Sequence, residues 1–97
     1  MNEFQVAVEF TGISRMLTGQ SEMTIKIRQG TTFSEIVKLI GRKFPSMVGQ
    51  IIDKDGSVFI ATNLFSLNGQ RIIQESEMNE SPKEGDRLII LSLLAGG

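Results

Sequence analysis

The sequence predicts an α+β roll, a mixed sheet wrapped around one main helix. Three observations predict it. Two segments near the start alternate apolar and polar residues with a period of two. A central segment repeats its apolar residues at helical spacing behind a capping pair, and the last third holds a hairpin signal followed by an apolar strand. At 97 residues the chain is sized for one domain with a single core.

In the first strand Val6, Val8 and Phe10 alternate with Ala7 and Glu9, which gives one buried face, and Gly12 ends it. A short segment over 13–17 closes on Thr18-Gly19. Met23, Ile25 and Ile27 then alternate with Glu22, Thr24, Lys26 and Arg28 as a second strand. The connection is too short for a full crossover helix, so the two strands are expected to pair antiparallel. Gln29-Gly30-Thr31 breaks the run. Thr32 and Glu35 have capping-box spacing, each side chain placed to satisfy a backbone N–H at a helix start. Phe33, Ile36, Val37, Ile40 and Phe44 follow at helical spacing, with Lys38, Arg42 and Lys43 turned outward, and the helix stops before Pro45.

Met47, Val48, Ile51 and Ile52 indicate a further short helical turn. Asp53-Lys54-Asp55-Gly56 reads as a loop, since a calcium site would need an acid at Ile51 and a bidentate Glu at Thr62. The 58–67 segment is apolar apart from Thr62, Asn63 and Ser66, and Asn68-Gly69 signals a hairpin that returns through Arg71, Ile72 and Ile73. Residues 74–84 set Glu75, Glu77, Glu80 and Glu84 against Lys83 alone; they read as a solvated connection, the alternative being a negative surface for a basic groove. In the last strand Leu88 and Ile90 fall on one face and Ile89, Leu91 and Leu93 on the other, so both faces are apolar. One face covers the helix. The other is either buried as well or an apolar patch for a partner; with only one long helix available, the partner surface is favoured, and Phe65 and Leu67 are expected to extend it.

Composition excludes whole classes of function. Without Cys or His there is no disulfide framework, no thiolate, no soft metal site and no usual general base, so neither self-contained catalysis nor a metal centre is expected. Neither G-x-x-x-x-G-K-[ST] nor G-x-G-x-x-G occurs, so no nucleotide cradle is expected. The formal net charge is -1, the pI near 5.4 and the ten basic residues are scattered, which argues against nucleic acid as a partner. The start has no cationic segment leading an apolar run, and no apolar stretch is long enough for a bilayer; neither signal peptide nor membrane association is expected, and the cytoplasm is the default location.

The chain closes on Ala95-Gly96-Gly97. With Gly at about 7% of average composition, two terminal glycines arise by chance in roughly 0.5% of chains. Glycines let a slender peptide enter a narrow channel on another protein and leave the final carbonyl carbon unhindered. The alternative is an end without function.

These pieces together resemble a family. The first strand leading into Arg15-Met16-Leu17-Thr18-Gly19, the helix ending at Phe44-Pro45, the Asn68-Gly69 hairpin, Lys83-Glu84-Gly85-Asp86-Arg87-Leu88 and the closing Ala95-Gly96-Gly97 are similar to the ubiquitin-fold sulfur carriers. That family comprises the small subunit of molybdopterin synthase, the thiamine-biosynthesis sulfur carrier and the small archaeal modifiers. Ser92, Leu93 and Leu94 stand where the molybdopterin branch often has prolines, and the 45–65 stretch is longer than in thiamine-type carriers.

The resemblance implies a β-grasp (ubiquitin-like) domain over 1–93 and a flexible tail over 94–97. It implies a carrier with no catalysis or bound cofactor of its own, though it could be the small subunit of a synthase complex. An ATP-dependent activating enzyme of the ubiquitin-activating type would adenylate Gly97, and a sulfur donor protein would convert the transient AMP adduct to a thiocarboxylate. A synthase large subunit would accept the sulfur, and the first expectation is a supply for the biosynthesis of molybdopterin, the molybdenum or tungsten cofactor. Leu91 with Ile89, Leu93, Phe65 and Leu67 would dock on a partner, and Ala95 and Gly96 would insert with Gly97. The extended tail from Leu94 reaches roughly 13 Å. Alternatives are a modifier joined to target lysines, a carrier for thiamine or another sulfur-containing product, and an interaction module with incidental glycines.

Overall fold

The computed structural model describes residues 2–93. The first two strands, β1 (Glu3–Phe10) and β2 (Glu22–Arg28), pair antiparallel from Glu3 opposite Arg28 to Glu9 opposite Glu22. Their corner is a short helix, α1 (Gly12–Thr18), where the sequence showed only an unassigned segment. The N–H of Thr11 donates to Ser14 Oγ at 3.0 Å, and Gly19, at φ 70°, ends the helix by donating to the Arg15 carbonyl at 2.9 Å. The helix has no apolar stripe: Leu17 packs on the core while Met16 is 81% exposed, so periodicity could not reveal it.

The main helix, α2 (Phe33–Lys43), starts as its capping box dictates. Thr32 Oγ1 accepts from the Glu35 N–H at 3.1 Å, and Glu35 Oε1 accepts from the Thr32 N–H at 3.0 Å. Phe33, Ile36, Val37 and Ile40 are buried along one stripe. At Gly41 the returning chain passes close to the helix: a Cβ there would lie 3.3 Å from Val48 Cγ2, so the Val48 side chain would have to give by a few tenths of an ångström.

The remaining strands are β3 (Asn63–Leu67), β4 (Arg71–Ile72) and β5 (Arg87–Ser92), and the sheet order is β2-β1-β5-β3-β4. β5 runs parallel to β1 and antiparallel to β3. Two expectations are corrected here. The apolar 58–67 run is strand only from Asn63 onward, because Ala61 takes a left-handed φ of 56° that interrupts extended backbone. The acidic 74–84 connection is more than a solvated link. Its Glu80 and Met78 carbonyls accept from the N–H groups of Phe33 (2.9 Å) and Ser34 (3.1 Å), orphan donors at the start of α2, and Met78 packs on the core.

The core lies between α2 and the inner face of the sheet. Val6, Val8, Phe10, Phe65, Leu88 and Ile90 are buried there, closed at one end by Met47, Ile51 and Ile52.

Candidate functional site

β5 delivers the end of the described chain, and it is held along its length. At its start the Asn68-Gly69 turn clasps it: Asn68 Oδ1 accepts from the Arg87 N–H at 2.8 Å, and Asn68 Nδ2 donates to Asp86 Oδ1 at 3.0 Å. Asp86 Oδ2 also accepts from the Lys83 N–H at 2.8 Å. Near its far end the Thr11 hydroxyl donates to the Ile90 carbonyl at 2.6 Å, and the Leu93 N–H donates to the Thr62 carbonyl at 3.1 Å. The strand is thus fixed as far as Leu93, which is itself 49% exposed.

Strand pairing assigns the faces. Residues opposite one another share a side of the sheet. Ile89 stands opposite Ser66 and Leu91 opposite Leu64, while Ile72 stands opposite Ser66 from the other side. Leu64, Ile72, Ile89 and Leu91 therefore form an apolar patch on the outer face, each half-buried by its neighbours rather than by a covering helix. A charged fence bounds the patch toward β1 and β2: Arg87 Nη1 lies 3.0 Å from Glu22 Oε1 and 3.3 Å from Glu9 Oε1. The hydrogen bond to Glu22 first, and then the attraction of Glu22 and Glu9, hold the Arg87 guanidinium above its ordinary value. These exposed pairs contribute little stability and serve rather to set the charge beside the patch.

A mixed five-stranded sheet with β1 and β5 parallel at its centre and one long helix across its inner face is a known architecture. The fold is the β-grasp. No protein-family model matches the chain, and no curated protein matches it significantly. Solved structures do. The small archaeal modifier protein SAMP1 from Haloferax volcanii is similar at 13% identity, with a TM-score of 0.78 over 96% of this chain and 99% of that one. A chain of the BexX/CysO complex from Amycolatopsis orientalis is similar at 23% identity, with a TM-score of 0.67 over 95% and 99%. A chain of the complex of subunits 1 and 2 of molybdopterin-converting factor from Helicobacter pylori 26695 is similar at 20% identity, with a TM-score of 0.58 over 97% and 100%. At these identities the likeness establishes the fold.

Within this β-grasp, Ile89 and Leu91 lie on the outer face and Leu88 and Ile90 on the inner one, as strand alternation requires. Phe65 and Leu67 do not extend the outer patch, and that expectation is corrected. Phe65 stands opposite Ile90, is 0% exposed, and packs edge-on against Phe59 with ring centroids 4.8 Å apart. Leu67 stands opposite Leu88 and packs on the core. A one-residue difference in phase moves a side chain to the opposite face, and the outer positions of β3 are Leu64 and Ser66. Leu64 and Ile72 are the patch residues that sequence reasoning missed. Counting back from the Asn68-Gly69 turn would have found both, because the turn sets the register of β3 with β4: Ser66 falls opposite Ile72, and alternation puts Leu64 on the same face.

Ala95, Gly96 and Gly97, with the whole 94–97 tail, lie outside the described residues. Among the described residues no group of three or more Asp or Glu is placed to hold a metal ion. Among the described residues no helix is long and apolar enough to cross a membrane. The outer face of the sheet thus carries a half-buried apolar patch beside a charged fence.

Proposed function

We propose that this protein is a sulfur carrier that works through its own C-terminal carboxylate. The observation that carries the reading is the junction of two features: β5 has an open apolar face, and in the sequence it leads within a few residues into Ala95-Gly96-Gly97. The β-grasp fold shared with SAMP1, the CysO complex and molybdopterin-converting factor supports it.

On this reading Leu64, Ile72, Ile89, Leu91 and Leu93 dock on a partner while Ala95 and Gly96 carry Gly97 into its active site. A free carboxylate is a poor electrophile. An ATP-dependent activating enzyme therefore joins the Gly97 carboxylate to the α-phosphate of ATP and releases pyrophosphate. A sulfur donor protein's persulfide then attacks the carbonyl carbon, the bond to phosphate breaks and AMP leaves, and a thiol of the donor attacks the resulting acyl disulfide at the donor's sulfur, forming a disulfide on the donor and releasing the thiocarboxylate. The sulfur passes to a synthase large subunit, with molybdopterin as the first product to test, and water restores the carboxylate. This chemistry consumes ATP and is read as cytoplasmic.

Intact-mass measurement of the protein from its native cells tests the proposal. Replacement of one oxygen by sulfur at Gly97 is the expected result, lost when Gly97 is deleted. An unmodified mass together with full biological activity after deletion of Gly97 overturns it. The likeness to SAMP1 supports a second reading, a modifier joined to lysines, which the same measurement would report as a ladder of heavier conjugates.

A further inference from the structure

The two edges of the sheet are finished differently. β3 is covered by β4 and by the bond from the Ile73 N–H to the Phe65 carbonyl, whereas β2 is the outermost strand on its side. The β1–β2 ladder is flanked by the Phe10 N–H to Ser21 carbonyl bond (2.9 Å) and the Gln29 N–H to Asn2 carbonyl bond (2.8 Å), so the odd-numbered residues of β2 turn their backbone groups to β1. Alternation directs those of the even-numbered residues outward. At either end the chain uses its own outward groups: the Gln20 N–H donates to Thr18 Oγ1 at 3.2 Å, and the Arg28 carbonyl accepts from the Thr31 N–H at 3.0 Å. Between them the N–H and C=O groups of Glu22, Thr24 and Lys26 have no partner among the described residues, and all three residues are exposed.

This free stretch is its own complement. The register with β1 places Glu22, Thr24 and Lys26 on the outer face, opposite Glu9, Ala7 and Gln5, and leaves Met23 and Ile25 half-buried at the margin of the core on the inner face. Turned antiparallel about a two-fold axis through Thr24, a second β2 sets Lys26 opposite Glu22, Thr24 opposite its own copy and Ile25 opposite Met23. Each free N–H and C=O then finds a counterpart, and the two apolar side chains cover each other. The charges match as well. Arg87 serves two carboxylates, 3.0 Å from Glu22 and 3.3 Å from Glu9, which leaves that cluster one positive charge short. The second copy's Lys26 supplies it, since within its own chain Lys26 meets only an exposed Glu3 at 3.7 Å.

Neighbouring registers fit worse. An edge lysine guards against self-pairing where it meets itself. A two-fold axis at Lys26 or at Glu22 brings like charges directly opposite, and one at Ile25 or Met23 calls on the Arg28 carbonyl or the Gln20 N–H, both already taken. The Thr24 axis avoids all four. Lys38 and Arg42 of α2, on the inner side of this edge, are exposed and long enough to turn to solvent.

We propose that two copies of this chain join through β2, antiparallel about Thr24, so that two five-stranded sheets become one. The contact is a short strand edge, so association is weak and depends on concentration. It leaves Leu64, Ile72, Ile89 and Leu91 uncovered and is independent of the sulfur-carrier reading.

The test is sedimentation equilibrium of the full chain from micromolar to millimolar concentration, with amide exchange followed by NMR over the same range. The mass is expected to rise from 10.7 kDa toward twice that value, and the Glu22, Thr24 and Lys26 amides to exchange more slowly as it does. K26E and E22K, with their folds checked by circular dichroism, are each expected to weaken self-association about tenfold or more, because each sets like charges opposite one another. An equimolar mixture of the two variants is expected to restore association, since every opposed pair is then of unlike charge. A mass that stays at 10.7 kDa at millimolar concentration, a dimer unaffected by K26E, or a mixture that associates no better than either variant alone overturns the proposal. So does a dimer whose slowed amides lie in β3 and β5 rather than β2, which would assign association to the outer patch.

Discussion

The two faces of β5 are about equally apolar and meet opposite fates. Leu88 and Ile90 are completely buried, whereas Ile89 and Leu91 are only half-buried on the other side of the same strand. The difference comes from cover. A single long helix lies across one face, and its Phe33, Ile36, Val37 and Ile40 fill the space above it. Hydropathy alone therefore does not say which face is core; strand pairing and the number of helices do.

The largest expected effect breaks the comparison directly if it fails. Phe65→Ala removes a ring packed between Phe59 and Phe33 and is expected to cost about 3–5 kcal/mol in urea unfolding. Leu64→Ser, one position away on the outer face, is expected to cost about 1 kcal/mol or less. Equal losses at the two positions would mean that the outer face is covered after all.

Next in size is binding. Leu91→Asp is expected to leave the fold intact while weakening association with the proposed activating enzyme by about 10- to 100-fold, as measured by calorimetry, because a carboxylate would be buried at the centre of the contact. Unchanged affinity would remove the outer patch from the docking surface. A smaller effect sharpens the inner side of the comparison. Thr32→Ala deletes the side-chain cap that starts the covering helix and is expected to cost about 1 kcal/mol in the same urea experiment.

What the chain revealed in advance follows the same division. Elements with a clear period were legible: β1 and β2 from alternation, α2 from its stripe and capping pair, and the turn from Asn68-Gly69. Ile89 and Leu91 could be assigned to one face because β5 alternates from a definite start at Asp86. The first half of 58–67 was not legible, since a run that is apolar throughout carries no phase and Ala61 gives no warning of a left-handed turn. That missing phase put Phe65 and Leu67 on the wrong face and hid Leu64. The role of 74–84 was hidden for another reason: it caps α2 through the carbonyls of Met78 and Glu80, and a backbone group leaves no mark in composition.

The smallest expected effect concerns pH and again distinguishes the two faces. Glu35 is held below its ordinary value of 4.5, first by the hydrogen bond from the Thr32 N–H and then by the Thr32 side chain. Glu77 is lowered likewise, by the Gln74 N–H and then by its bond with Arg71. Both carboxylates brace parts that close the inner face, α2 and the 74–84 segment. A carboxyl lowered in the folded state stabilises it fully above the unfolded value and loses that contribution as pH falls through the folded value. Stability measured by urea titration is therefore expected to decline below about pH 4.5, with a shallower decline in Glu35→Gln and Glu77→Gln. Gln keeps the capping geometry while removing the titrating charge, so the change in slope isolates the ionisation from the hydrogen bond. Arg87, raised rather than lowered, stays charged through this range, so the guanidinium at the outer fence keeps its charge while these two inner braces lose theirs. Parallel pH profiles for the parent and both variants would show that neither carboxylate contributes through its charge, leaving the closure of the inner face to packing alone.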